Sequence, residues 1–452
     1  MSKYEIMPTD ENLIKEIQLN SLRRNEDLEC FCRLLSTRKK ATTISIEGNW
    51  GCGKTFFVKQ LFLIINAYNK QNNFDKKKRY DINSFFDNYH QSDLDSQFAI
   101  YYDAWKNDND SDPLASIIYE MAQQLDLLYE FKDTNLINGA IEILDFLSKT
   151  RINDFIKALK NTNSVNEIEK EKSFEERIKE FISNAINERG NRMVLFIDEL
   201  DRCKPTYAVK LLEEIKHYLF DDRITIIFSV NSEELQHTIK HFYGNDFDAL
   251  RYLDKFFDYR FSLPKISMDL FYQRIGFDEN SMCAIVTQKF INKYKLEIRE
   301  AIRYIEHVEI VTNGLEAHYS VGMVNRDGAV KRFLLSTIIP IGLGLRGINS
   351  GLYNDFISGK DYSLLAVIYE DDVFAYMFYD LLSTNETFNE GEGKKQISLE
   401  MVMKKVYDAI FINAYSQENP SVRIGKYLFT SSAKEYVLSA LSMIFDDANY
   451  SI

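Results

Sequence analysis

Residues 42–57 read TTISIEGNWGCGKTFF, and no other stretch narrows the choice of fold as far. The run Gly48, Asn49, Trp50, Gly51, Cys52, Gly53, Lys54, Thr55 has the spacing G-x-x-x-x-G-K-T. Glycines so placed let the backbone fold into a concave turn whose N–H groups point at nucleotide β- and γ-phosphates, and the following helix adds its positive end. Lys54 neutralises phosphate charge, Thr55 ligates Mg2+, and Phe56 completes the loop. The flanks are those the motif needs. Ile44, Ser45 and Ile46 alternate as a strand before it, and 56–65 reads as a buried helix after it.

A magnesium nucleotide needs a second carboxylate at the mouth of a buried strand. Asp198, after Val194, Leu195, Phe196 and Ile197, stands in that position and reaches the metal through a coordinated water. Glu199 follows directly and can polarise an attacking water, which separates hydrolysis from simple binding. Asp201 and Arg202 complete the run IDELDR. Asn231 ends another apolar run, where it either bonds the γ-phosphate and lytic water or caps the helix opening at Ser232. Arg251 and Lys255 are either surface charges or cations sent into a neighbouring subunit's site. Arg299 and Arg303 share one helix face and either reach back to the phosphates or pair with Glu300 and Glu306. His237 and His241 have the spacing of paired metal ligands, but no third ligand accompanies them, so zinc is not expected.

Strand-like and helix-like runs alternate from 42 to 263, so the fold class is α/β, a doubly wound parallel sheet. The strands expected are 98–102, 193–198, 223–231 and 256–263 besides the first. Residues 10–38 read as one helix leading into the sheet, with Arg23 and Arg24 on its polar side. The basic run Lys76, Lys77, Lys78, Arg79 reads as a loop, either solvated or touching a phosphate backbone or an acidic partner. Residues 112–190 read as a helical insertion, with Asp112 capping, Pro113 opening, a capping box at Ser173 and Glu176, and 161–172 as its flexible point. From Met268 onward no strand is expected, and 383–395 reads as a loop. The domains are therefore 1–267, holding the nucleotide core, and 268–452, a mostly helical lid or relay.

Composition limits the setting. The chain of 452 residues is 45% hydrophobic and 27% charged with net charge −13, which gives no electrostatic support for coating nucleic acid. Five scattered cysteines, one inside the glycine-rich loop, suit free thiols in a reducing cytoplasm. No segment approaches the ~18 to 20 apolar residues of a membrane span. The nearest, 333–345, is broken by Pro340, Gly342 and Gly344.

Four stretches together, IEGNWGCGKT, FAIYYDAWKNDNDSDPLAS, VLFIDELDRCKP with KLLEEIKHYLF, and RYLDKFFDYRFSLP, resemble the KAP family of P-loop NTPases. That resemblance implies an ASCE-type, AAA+-like core with strand order 5-1-4-3-2, ATP and Mg2+ as ligands, Lys54 and Thr55 on phosphate and metal, and Asp198 with Glu199 for metal and water. Many relatives are bacterial, and some act in phage exclusion. Many carry membrane helices between the Ala-Trp strand and the Asp-rich strand, where this chain is instead amphipathic. The second acidic residue is often Asp in relatives; Glu199 here favours hydrolysis. The function expected is ATP hydrolysis coupled to conformational or assembly change, in a homo-oligomer or with a partner effector. The alternatives are a slow nucleotide-gated switch, a DNA-stimulated ATPase and a small-molecule kinase; Glu199 and the lack of an Arg-rich lid argue against the last.

Overall fold

Five runs rich in β-branched and aromatic residues form one parallel sheet: β1 (Thr42–Glu47), β2 (Gln97–Asp103), β3 (Arg192–Asp198), β4 (Ile224–Val230) and β5 (Tyr259–Ser262). Their order is β2-β3-β4-β1-β5, which read from the β5 edge is the expected 5-1-4-3-2. Every neighbouring pair is parallel. The computed structural model describes residues 4, 6–37, 40–71, 74–86, 94–125, 165–219, 221–277, 281–317, 326–370, 388–389, 394–395 and 398–443. Two units divide the chain, Ile6–Leu270 in one and Phe271–Ile452 with Met1–Glu5 in the other.

Helices cover both faces of the sheet, so its central strands are apolar without a polar side. Met193, Leu195 and Ile197 of β3 pack with Leu114, Ile117, Phe181 and Leu211 on one face. Val194 and Phe196 pack with Phe31, Phe57, Leu61 and Ile64 on the other. Parallel pairing then brings all the carboxyl ends to a single edge. Asp103 lies beside Asp198, Asp198 beside Ser229, and Glu47 beside Val230. Gly48, Ala104, Glu199 and Asn231 therefore leave the sheet together, at the edge where open α/β folds place their ligands.

Several local expectations are corrected. The helix read over 10–38 is two, Asp10–Leu19 and Asn25–Thr37. Between them Asn20 and Arg23 take left-handed backbone angles. The Glu16 carboxylate accepts from Ser21 Oγ at 2.6 Å and Leu22 N at 3.0 Å, so a side chain takes over where the helical ladder stops. The basic run opens helix Lys76–Phe86 instead of lying in a loop, and Lys78 pairs with Asp10 at 2.6 Å. Asp112 caps helix Pro113–Gln124 as expected, accepting from Ala115 N at 3.0 Å. The capping box read at Ser173 and Glu176 falls inside helix Val165–Arg189, not at its start. Within the stretch 112–190, residues 126–164 lie outside the described residues, as does 161–164 of the segment read as flexible; 165–172 is helical. Ile178, Phe181, Ile182 and Ile186 belong to the sheet's own core.

The unit beginning at Phe271 is largely helical but not without strands. Phe388–Asn389 pairs with Lys394–Lys395, and Val422–Ile424 with Tyr427–Phe429, both antiparallel. Gly425, with φ 56°, makes the tight turn of the second hairpin. Residues 383–387 and 390–393 of the expected loop lie outside the described residues. Helix Ile338–Ile348 passes so close to helix Met282–Tyr294 that a Cβ on Gly344 would stand 2.4 Å from the Phe290 ring. Among the described residues one helical stretch, Gly328–Ile348, is long and apolar enough to cross a membrane, and 72% of its most apolar window is buried inside the molecule.

Candidate functional site

The glycine-rich loop is shaped by Gly51 at φ 87° and Gly53 at φ 92°, values open to glycine without strain. A Cβ on Gly48 would meet Cys52 Sγ at 2.7 Å, so the loop also closes on itself there. Lys54 is 9% exposed, and its Nζ donates to the Gly48 carbonyl at 2.6 Å and the Asn49 carbonyl at 3.2 Å. Its charge is thereby held across the mouth of the loop. Phe56 packs partly against the core. Arg24 is buried beneath the loop, over the Phe57 ring, and donates to the Pro264 carbonyl at 2.7 Å and the Cys52 carbonyl at 3.5 Å.

Thr55 Oγ1 donates to Glu199 Oε1 at 3.2 Å, which joins the start of the loop helix to the end of β3 across β4. Asp198 is 1% exposed; its Oδ2 accepts from Tyr101 OH at 2.9 Å and its Oδ1 from Glu199 N at 3.0 Å. Burial raises the Asp198 pKa, and the hydroxyls of Ser229, Thr55 and Tyr101 oppose the rise. Glu199 is raised too, first by burial and then by Asp198, while Arg202 pulls it down. Its backbone is left-handed, φ 60°, a conformation that costs a non-glycine residue ~1–3 kcal/mol. Arg202 forms an ion pair with Glu199 Oε2 and lies 5.6 Å from the centre of the Trp50 ring and 5.3 Å from that of Trp105. Trp50 Nε1 donates to Asp201 Oδ2 at 2.6 Å.

A sequence profile described as the KAP family P-loop domain matches residues 28–280, more than half of the chain. The chain belongs to the KAP family. It is accordingly a P-loop NTPase, of a class that binds and hydrolyses nucleotides. No curated protein matches the sequence. Among solved structures, an ORC2 protein of Aeropyrum pernix, in ADPNP-ADP complexes, aligns over 92% of this chain and 93% of its own at 10% identity and a TM-score of 0.33. At that score nothing is carried from it to the KAP chain.

The remaining candidates are spread more widely. Asn231 Oδ1 accepts from Glu233 N at 3.2 Å, so the capping role is filled, at the same sheet edge as Glu199. Arg251 is exposed, and its side chain makes no hydrogen bond or ion pair among the described residues. Lys255 lies 6.0 Å from the Tyr252 ring. Arg299 and Arg303 are exposed on helix Ile298–Ala317 of the other unit. No cluster of metal-binding side chains stands among the described residues, His237 and His241 included. The sequence reading assigned no role to Tyr101, Arg24 or the Trp50–Arg202–Trp105 stack. The one signal for the stack was that the chain has two tryptophans and both lie in turns at strand ends.

Proposed function

We propose that this KAP protein is a Mg2+-dependent ATP hydrolase. In this reading Gly48, Asn49, Trp50, Gly51, Cys52, Gly53 and Lys54 hold the phosphates. The donor set suits Mg2+, because a hydroxyl at Thr55 and a buried carboxylate at Asp198 are hard oxygen ligands. Bound there, the ion would offset phosphate charge during phosphoryl transfer. Glu199 takes the proton from the attacking water, and its raised pKa brings it nearer the pH at which a base works. The observation that carries the reading is the contact of Thr55 Oγ1 with Glu199 Oε1, one residue beyond the lysine. Asn231 bonding the lytic water, Arg251 acting on a neighbouring copy and Arg299 contacting phosphate complete the proposal.

Hydrolysis is proposed to drive a conformational or assembly change relayed by the domain from 268 onward, in a homo-oligomer or with an effector protein. Membership of the family supports a role in phage defence, and buried thiols at Cys32, Cys52 and Cys203 suit the cytoplasm. A slow nucleotide-gated switch is the second reading, favoured because both oxygens of Glu199 already have partners. Lys54→Ala is expected to abolish ATP binding, and Glu199→Gln to keep binding while losing turnover at least a hundredfold. Wild-type turnover in Glu199→Gln, measured by phosphate release, would remove the hydrolytic assignment. Single-turnover hydrolysis far slower than one per minute without a partner would favour the switch.

A further inference from the structure

Both tryptophans of the chain stand well exposed, Trp50 at 43% and Trp105 at 51%, which core packing does not account for. They come from separate segments, one in the glycine-rich loop and one past the end of β2. Between these segments lies the guanidinium of Arg202, within cation–π distance of each ring. The Trp50 ring is itself oriented by its N–H bond to Asp201. An isolated ion pair three residues apart would be ordinary surface chemistry. This one is different because two further segments grip the cation and Glu199 occupies a left-handed backbone position beside it.

We infer that Arg202, clasped by Trp50 and Trp105, is a positioning residue that sets the orientation of the Glu199 carboxylate. The inference rests on the hydrolytic reading above. A planar guanidinium can present its faces to indoles and its edge to a carboxylate at once, whereas an ammonium cannot. With Oε2 held by Arg202 and Oε1 by Thr55, the carboxylate keeps a single rotamer on a backbone that would otherwise relax. The clasp thus ties the loop that receives phosphate to the residue that activates water.

The test uses the full chain. Arg202→Gln is expected to lower kcat tenfold or more with KM and the ATP dissociation constant within twofold of wild type, and Arg202→Lys to recover little of the loss. Trp105→Leu should lower kcat in the same sense by several-fold, and Trp105→Phe should recover most of it. Because the only tryptophans are those of the clasp, acrylamide quenching without nucleotide reads it directly. Arg202→Gln should raise the quenching constant at least 1.5-fold. A kcat unchanged or raised in Arg202→Gln, alongside wild-type turnover that depends on Glu199, overturns the inference and leaves the hydrolytic reading intact. Absence of turnover in wild type instead overturns that reading, and the inference with it. Quenching unchanged by Arg202→Gln refutes the clasp itself.

Discussion

Asp198 is buried where water would serve its charge better. Burial holds its folded pKa above the ordinary 3.8, so as pH falls the native chain takes up this proton before the unfolded chain does. The charged carboxylate therefore subtracts stability at neutral pH, and the loss shrinks as pH falls through the folded pKa toward the unfolded one. Asp198→Asn removes the charge, keeps an oxygen for the Glu199 N–H and turns its amide N–H to the Tyr101 hydroxyl oxygen, which can accept. In the nucleotide-free chain with EDTA it is expected to raise Tm at pH 7.5 by a few degrees, and the gap should narrow as pH is lowered. A lower Tm for the variant at pH 7.5, by calorimetry, would contradict this. That Thr55 and Glu199 would meet at one sheet edge was legible because local spacing marks the two motifs. Arg24 was not, since its partner carbonyl at Pro264 lies 240 residues away. Tyr101, 97 residues before Asp198, looks in the sequence like any strand aromatic.

Among the elements, helix Ile338–Ile348 carries its own control. Gly344 faces Phe290 at a distance no Cβ tolerates, whereas Gly347 of the same helix has open space around it. Gly344→Ala must push a buried ring aside and is expected to cost about 1–3 kcal/mol. Gly347→Ala is expected to be neutral or to gain up to ~1 kcal/mol from helix propensity. Equal denaturation midpoints for the two variants would mean that the helices are not that close. The periodicity that made 333–345 look interrupted thus marks close helix packing. The core strands expected at 98–102, 193–198 and 223–231 were read within a residue or so of their bounds, because burial on both faces writes itself into their composition. The break between Asp10–Leu19 and Asn25–Thr37 was missed because Glu16, inside the helix, supplies its side-chain bonds. The hairpin around Gly425 was missed because strands of three residues carry no period.

Across the whole molecule, charge decides between the ATPase readings. A DNA-driven motor needs a face of unpaired cations that displaces counterions from phosphates. The net charge of −13 works against one. The densest basic run, on helix Lys76–Phe86, already spends Lys78 on Asp10. Arg202 is enclosed by two rings and a carboxylate, and Arg260 by Glu47 and Asp254. Both of these cations are thus already paired within the molecule. Turnover of ATP by the KAP chain is accordingly expected to change less than 1.5-fold when duplex or single-stranded DNA is added at 50 mM salt, where electrostatic binding is strongest. Stimulation of fivefold or more that fades as salt rises to 200 mM would instead show a cationic track. The DNA-stimulated reading would then displace the assembly-coupled one, because only released counterions give that salt dependence.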